Sequence, residues 1–285
     1  MQIKSIQKKA TLLCIVICFV WQGRAQTAEK KGFINPPVTI ANSEQFVLFS
    51  VNTQQEYKIY VHLPMSYSTG DATYPVIYGL DADIGFGSAA EIATLLPVRN
   101  ELPELIVVGI AYGAYPGQEG NNRTRDFTPT AVSDFPSSGG AEKFLQFLRD
   151  ELIPVIDTKY RTKPADRTLS GASLGGLFSL YVLFENPGIF NRYKISSPSI
   201  WWDNDVTFEL EKKYAINHSD LPARVFISVG DVERTADIWK KMLKKLEERN
   251  YPNLKLTSMM FEDAPHLTAC MLAGVRGVKA IFSEE

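Results

Sequence analysis

The sequence predicts an α/β fold built on a mostly parallel central sheet. Two near-continuous apolar runs, Tyr74–Gly79 and Leu105–Ile110, are typical of strands buried on both faces of such a sheet. A stretch of helical character near Ala89–Leu96 lies between them, so the chain runs strand, helix, strand. About 260 residues beyond the N-terminal segment are enough for one domain with its own core.

The flanking segments extend this pattern. Two alternating runs, Gln45–Ser50 and Glu56–Leu63, are separated by polar residues and predict an antiparallel N-terminal strand pair. Later strands are expected at Tyr193–Ser196, Arg224–Val229 and Lys255–Phe261, and helices on both faces at Ala141–Ile156, Leu174–Asn186, Thr235–Arg249 and Leu267–Phe282. Residues 198–223 form a short connection, which predicts a small lid or none.

The N-terminus has the pattern of a secretory signal peptide. Basic residues precede an uncharged apolar run, Ala10–Trp21, and small residues at Gly23 and Ala25 suit a signal peptidase. The run is too short to span a bilayer, so no stable membrane insertion is expected after cleavage near Ala25. We therefore expect a signal peptide over residues 1–25, a tail over 26–40, the α/β domain over 41–285, and a secreted, periplasmic protein.

Charge and cysteine content exclude some partners. The formal net charge is −2, and losing the four basic residues of the signal peptide, which has no acid, makes it −6. An acidic surface argues against nucleic acid and anionic membranes. Cys270 would be the one remaining cysteine, which rules out an intrachain disulfide and indicates a small buried side chain.

Residues Gly171–Gly175 form a Gly-x-Ser-x-Gly turn between an apolar strand and a helix. Such a turn holds its serine in a strained corner where the hydroxyl is accessible, which makes Ser173 a candidate nucleophile. Attack of this serine on an acyl carbon would form a tetrahedral intermediate with a negatively charged oxygen. Two hydrogen-bond donors should stabilise that oxygen: the backbone N–H of Leu174, and a backbone N–H of Ala82 or Asp83 after the Tyr74–Gly79 strand.

The serine needs a base and an acid. His62 lies in an early strand and His218 in a polar turn, so His266, after the last strand, is the candidate base. The acid should follow the Arg224–Val229 strand, where Glu233 has room to reach the imidazole and Asp231 is the rival.

Other candidates lie near the expected site. Residues 111–140 form a long loop rich in Gly, Pro, Asn and Thr, and such loops are usually functional or disordered. Arg123 and Arg125 in this loop could bind an anionic substrate or form ion pairs with the nearby Asp126. Trp201 and Trp202 could anchor the core or line the pocket.

Several motifs together resemble the esterase branch of the α/β-hydrolases, which includes siderophore trilactone esterases, feruloyl and acetyl-xylan esterases, and esterase D. The matching segments span the chain from about Phe46: they are Tyr74–Asp81, Arg123–Pro129, Gly140–Phe144, Glu151–Pro154, Ser170–Phe178, Phe190, Ser196–Trp202 and Val229–Glu233. One departure is Ala82 after Asp81, where the family commonly has glycine.

The resemblance implies an α/β-hydrolase fold, Ser173 as nucleophile, His266 as base and Glu233 as acid, although some siderophore esterases of this branch use a Ser–His dyad. It implies no metal and no organic cofactor. The expected substrate is a small-molecule or oligosaccharide ester, with a siderophore lactone favoured and a polysaccharide acyl or feruloyl ester as the alternative. A non-catalytic ligand-binding homologue and an acyltransferase are further alternatives, and the oligomeric state stays open.

Overall fold

A computed structural model of the protein describes residues 37–283. The predicted signal peptide, residues 1–25, and residues 26–36 of the predicted tail lie outside the described residues. Eight strands form one sheet in the order β1-β2-β4-β3-β5-β6-β7-β8. Their bounds are β1 Ser43–Ser50, β2 Gln55–His62, β3 Tyr74–Gly79, β4 Ile106–Ala111, β5 Thr162–Ala172, β6 Arg192–Ser196, β7 Ala223–Gly230 and β8 Leu254–Phe261.

The predicted α/β architecture is confirmed. β1 and β2 pair antiparallel and β2 joins β4 antiparallel, whereas every other neighbouring pair from β4 to β8 is parallel. The register sets Gly79 beside Ser170, and Ala172 beside Ser196, which is beside Ser228. The carboxyl ends of β3, β5, β6 and β7 therefore lie along one edge of the sheet, where ligands of open α/β sheets bind.

Helices cover both faces, as predicted. Their bounds are α1 Ala82–Leu95, α2 Arg123–Asp126, α3 Ala141–Gln146, α4 Ile153–Lys159, α5 Leu174–Glu185, α6 Trp202–Asn217, α7 Ala236–Arg249 and α8 His266–Phe282. α1 and α8 pack together on one face, and α5 and α6 pack on the other. In the part of the chain that the structure describes, no helix combines the length and apolarity needed to cross a membrane.

Alternating strand residues divide the core between the two faces. The larger cluster holds Tyr78, Leu169 and Ile227 against aromatic side chains of α3 and α5, including Phe144 and Phe178. On the opposite face, neighbouring strand positions such as Ile77 and Val107 pack under α1 in a smaller cluster. From Thr39 onward the described chain forms one compact unit, consistent with a single domain.

Three helices differ from the prediction. α1 begins at Ala82, seven residues before the expected start. The prediction missed its first turns because they contain Gly85 and Gly87, and glycine has a low helix propensity. α6 occupies most of the segment predicted as a small lid, and its apolar and polar residues show little periodicity. It is kinked near its start, where residues 203–205 have left-handed backbone angles. The helix expected over 141–156 is interrupted by a π-helical segment, Phe147–Leu152, just before Pro154, which has no N–H for the regular ladder.

Candidate active site

Ser173 lies at the corner between β5 and α5. Its backbone has φ 58° and ψ −120°, a conformation that L-residues rarely adopt and that costs about 1–3 kcal/mol. Gly171 permits this corner, since a Cβ there would lie 2.2 Å from the carbonyl oxygen of Gly175. The backbone N–H of Ser173 donates to Ser196 O at 3.0 Å, which fixes the corner to β6.

The Ser173 hydroxyl lies at the carboxyl edge of the sheet, next to Ser199. Its Oγ is 3.5 Å from the Oγ of Ser199, and the backbone N–H of Ser199 donates to Ser173 O at 3.0 Å. Ser173 itself is half-buried. The corner is thus supported from the segment that follows β6.

His266 and Glu233 form a hydrogen-bonded pair at the same edge of the sheet. His266 is the first residue of α8, and its Nδ1 lies 2.7 Å from Glu233 Oε2. The Glu233 side chain is 4% exposed and that of His266 is 43% exposed, so a shielded carboxylate holds a more accessible imidazole. With the proton on Nδ1, this contact leaves Nε2 free to accept a proton.

Two further donors fix the Glu233 carboxylate. The hydroxyl of Ser197 donates to its Oε1 at 2.6 Å, and the backbone N–H of Gly230 donates to the same oxygen at 2.8 Å. A Cβ at Gly230 would lie 1.8 Å from Ala264 O, so only glycine lets the end of β7 approach the turn that carries His266. No local pattern in the sequence indicated a role for Ser197, whose backbone has a positive φ of 42°.

The rival acid Asp231 points elsewhere. It is exposed, and its carboxylate accepts a long contact of 3.4 Å from the backbone N–H of Ala264. No hydrogen bond within residues 37–283 joins it to His266. The geometry therefore favours Glu233 as the partner of the imidazole.

The candidate nucleophile Ser173 and the candidate base His266 are not hydrogen-bonded to each other. Across the described residues, no hydrogen bond joins Ser173 Oγ to His266, although both belong to turns at the same sheet edge. Catalytic hydrogen bonds in unliganded enzymes are often long and tighten when substrate binds. Acyl transfer by these two residues requires that contact to form.

The start of a second helix, α1, lies close to the Ser173 corner. Leu174 begins α5, and Ala82 and Asp83 begin α1, so their N–H groups have no intrahelical acceptor. A Cβ at Gly175 would lie 3.5 Å from both Asp81 Oδ2 and Leu80 Cδ1, which brings the two helix starts together. Partial positive charge from both N-termini suits a developing oxyanion.

Both candidate arginines are engaged in ion pairs. Arg123 binds Asp81 through Nε and Nη2 at 2.7 and 2.9 Å, a partner that the sequence did not indicate. Arg125 binds the adjacent Asp126 at 2.7 Å, the pairing considered from the sequence. Asp126 is fully buried and also accepts the hydroxyl of Tyr57 at 2.7 Å. The loop over 111–140 is thereby fixed to the sheet.

The two tryptophans have different environments. Trp202 is 1% exposed, and its Nε1 lies 3.2 Å from the carbonyl oxygen of Thr130. Trp201 is 46% exposed, and its ring lies 5.8 Å from that of Trp202. Phe135, also exposed, packs against Trp202 from the loop. Trp202 is therefore a core anchor, and Trp201 is the one available to a ligand.

The other two histidines and Cys270 have separate surroundings. His62 is buried between Ser43 and Thr94, and His218 is exposed and stacked on Tyr214. Burial raises the pKa of the Cys270 thiol, which is partly offset by a hydrogen bond with Ser197. Among residues 37–283, no group of three or more His, Cys, Asp or Glu side chains is arranged to hold a metal ion.

Comparisons with known proteins agree with this architecture. The family described as "Putative esterase" matches residues 50–252. The ferri-bacillibactin esterase BesA of Bacillus subtilis is 32% identical over 228 residues, which cover 74% of this chain and 78% of that protein. A siderophore triacetylfusarinine C esterase of Aspergillus fumigatus is 30% identical and covers 87% of each chain.

A solved structure shows the same fold. The BES protein from Bacillus cereus superposes with a TM-score of 0.80 at 31% identity, covering 88% of this chain and 98% of that one. The family match includes Ser173 and Glu233, and His266 lies beyond its last residue. The chain belongs to the Esterase family of α/β-hydrolases, in its siderophore esterase-like branch, and is a carboxylic ester hydrolase.

Proposed function

We propose that this protein is a serine esterase in which Ser173 is the nucleophile, His266 the general base and Glu233 the acid that orients it. One observation carries the proposal: a shielded carboxylate lies 2.7 Å from the imidazole that begins α8, at the sheet edge where Ser173 occupies its strained corner. These are the parts that acyl transfer requires.

The steps follow from these positions. Ser173 Oγ attacks the ester carbonyl carbon while His266 Nε2 takes the hydroxyl proton, and the charge on the carbonyl oxygen is stabilised by backbone N–H groups of Leu174 and Ala82 or Asp83. His266 then protonates the leaving alcohol, which departs and leaves an acyl group on Ser173. Water, activated by the same imidazole, releases the acid and restores the serine.

The substrate that we propose is a siderophore ester. The supporting observations are the likeness to a ferri-bacillibactin esterase and to a triacetylfusarinine C esterase, each over most of both chains. An exposed aromatic side chain, Trp201, near the carboxyl edge of the sheet is suited to a substrate with aromatic arms.

The deciding experiment compares wild type with Ser173→Ala on a panel of esters. We expect hydrolysis of p-nitrophenyl acetate and of a catecholate trilactone, iron-free or ferric, and no turnover by Ser173→Ala. A fluorophosphonate probe should label Ser173 in the folded protein. Equal activity of the alanine variant would contradict the mechanism, and preference for feruloylated or acetylated xylan over the trilactone would contradict the substrate.

Export is also part of the proposal. The basic, apolar and small-residue pattern of residues 1–25 supports a cleaved signal peptide and action outside the cytoplasm. Mass spectrometry of the protein recovered from the periplasm of its host should show an N-terminus at Gln26. A protein that retains its first 25 residues and stays with the cytoplasmic fraction would contradict export.

A further inference from the structure

Arg123 and Asp81 join two parts of the chain that both border the candidate site. Asp81 is the residue before α1, and Arg123 begins the short α2 within the loop over 111–140. Two parallel hydrogen bonds, 2.7 and 2.9 Å long, connect the guanidinium to both carboxylate oxygens. The side chains are 15% and 11% exposed, so solvent screens this pair weakly.

Asp81 has an unusual backbone. Its φ of 55° and ψ of 41° lie in the left-handed region, which favours glycine and carries less strain for aspartate than for most other residues. Its carbonyl oxygen accepts the N–H groups of Ile84 and Gly85, at 3.1 Å each. The direction of the next N–H groups, at Ala82 and Asp83, therefore depends on how this one residue is held.

The Asp81 carboxylate also lies close to the proposed oxyanion donors. A Cβ at Gly175, in the first turn of α5, would be 3.5 Å from Asp81 Oδ2. An unpaired negative charge at this position would oppose the negative charge that develops on the carbonyl oxygen during attack. The bidentate arginine compensates that charge.

Arg123 is well suited to remain charged. Burial alone would lower its pKa, but the hydrogen bonds and charge of Asp81 outweigh this effect, so its pKa is raised. Its guanidinium also lies 5.5 Å from the centre of the Phe127 ring. Within the described residues, Asp81 is the acid to which Arg123 is paired.

We infer that Arg123 is a positioning residue for the oxyanion hole: it holds the left-handed Asp81 turn and neutralises its carboxylate, and it is not an anchor for the substrate. This inference rests on the proposed function, since it assigns a role in ester hydrolysis at Ser173. It distinguishes Arg123 from a substrate-binding arginine because the effect should not depend on the charge of the substrate.

The test measures kcat and KM per active site, counted by fluorophosphonate labelling, on neutral p-nitrophenyl acetate and on the anionic mono-p-nitrophenyl succinate. For Arg123→Met we expect kcat to fall about 30- to 100-fold on both esters, comparable to weakening an oxyanion donor, with KM changed less than about threefold. A KM increase confined to the anionic ester would overturn the inference in favour of substrate anchoring.

A matched control removes an ion pair of similar geometry and burial elsewhere. Arg192 binds Asp166 through Nε and Nη2 at 2.9 and 3.2 Å near the amino end of the strands, with side chains 16% and 23% exposed. Arg192→Met should reduce thermal stability comparably and leave kcat per active site within about twofold. Equal losses of kcat per active site in both variants would show a merely structural role and overturn the inference.

A double variant tests the electrostatic part. Removing the charge of the acid as well, in Asp81→Asn with Arg123→Met, should recover kcat at least about tenfold over Arg123→Met because no uncompensated carboxylate remains. No recovery would overturn the charge-neutralising role.

A more conservative variant, Arg123→Lys, keeps the inference testable if Arg123→Met does not fold. If Arg123→Met fails to fold, Arg123→Lys keeps the charge but loses the two-pronged contact, and kcat should fall about five- to tenfold. Unchanged kcat in a folded Arg123 variant contradicts this inference alone, provided that wild type is active. A wild type without ester hydrolysis contradicts the proposed function and the inference with it.

Discussion

His266 Nδ1 and Glu233 Oε2 are 2.7 Å apart, and the other oxygen of that carboxylate is held by Ser197 and by the backbone of Gly230. These contacts fix the orientation of the Glu233 carboxylate in the absence of substrate. Pre-organised orientation of the imidazole is what the third member of a serine hydrolase triad supplies. Of the two candidate acids that follow β7, Glu233 contacts the imidazole, and no hydrogen bond in the described part of the chain joins Asp231 to it.

The first prediction separates these acids by substitution. Glu233→Ala should lower kcat by about 10²-fold or more, since the imidazole loses both its orientation and the charge that stabilises its protonated form. Asp231→Ala is the matched control and should change kcat by less than about threefold, because its carboxylate is exposed. Steady-state kinetics on p-nitrophenyl acetate measure both. A larger loss in the Asp231 variant would reverse the assignment, and a small loss in both would indicate a Ser–His dyad.

The second prediction concerns the adjacent tryptophans. Trp202→Ala should lower the free energy of unfolding by about 3–5 kcal/mol, because it empties a fully buried site and removes the bond to Thr130. Trp201→Ala should cost about 1 kcal/mol or less and should instead raise KM for esters with an aromatic acyl arm more than for acetate esters. Urea denaturation and kinetics on paired substrates check this. Equal stability losses would contradict the division of roles.

The third prediction is a dependence of stability on pH that arises at His62. Its ring nitrogens contact the hydroxyls of Ser43 and Thr94, and burial lowers its pKa. The unfolded chain therefore binds a proton more readily than the native state below about pH 6.5. The free energy of unfolding should fall as pH drops below that value, by at most about 1.4 kcal/mol per pH unit from this group.

Replacing the histidine isolates its contribution. His62→Gln removes the titration while keeping a hydrogen-bonding side chain, so the stability difference between pH 7.5 and pH 5 should shrink. His218→Gln, at an exposed ring stacked on Tyr214, is the control for replacing a histidine by glutamine. Urea denaturation at the two pH values provides the measurement. An unchanged difference in the His62 variant would refute the assignment.

The fourth prediction concerns the thiol of Cys270, which is hydrogen-bonded to Ser197. Because burial raises the pKa of Cys270, little thiolate forms at pH 8, and alkylation by iodoacetamide should be at least about tenfold slower in folded protein than in urea. Mass spectrometry of the peptide that carries Cys270 follows the reaction. Modification as fast in the folded as in the unfolded protein would show a reactive thiol and contradict the expectation of an inert one.

Much of the fold could be predicted because its signals are local. The apolar runs of β3 and β4, the alternation of β1 and β2, and the strand-turn-helix pattern at Ser173 each depend on a few neighbouring residues. α6 and the first turns of α1 were not predicted, since their residues lack clear periodicity and tertiary packing decides their conformation.

The sequence by itself determined the order of candidate groups along the chain, with Ser173 first, the acids after β7 next and His266 last. That order follows from local patterns and from the small number of histidines. Only the tertiary structure decided which groups meet: Glu233 with His266, and Arg123 with Asp81 instead of a free position in the loop. The physical reason is that strand register and the close approach at Gly230 bring together residues far apart in the chain, and no local pattern encodes those distances.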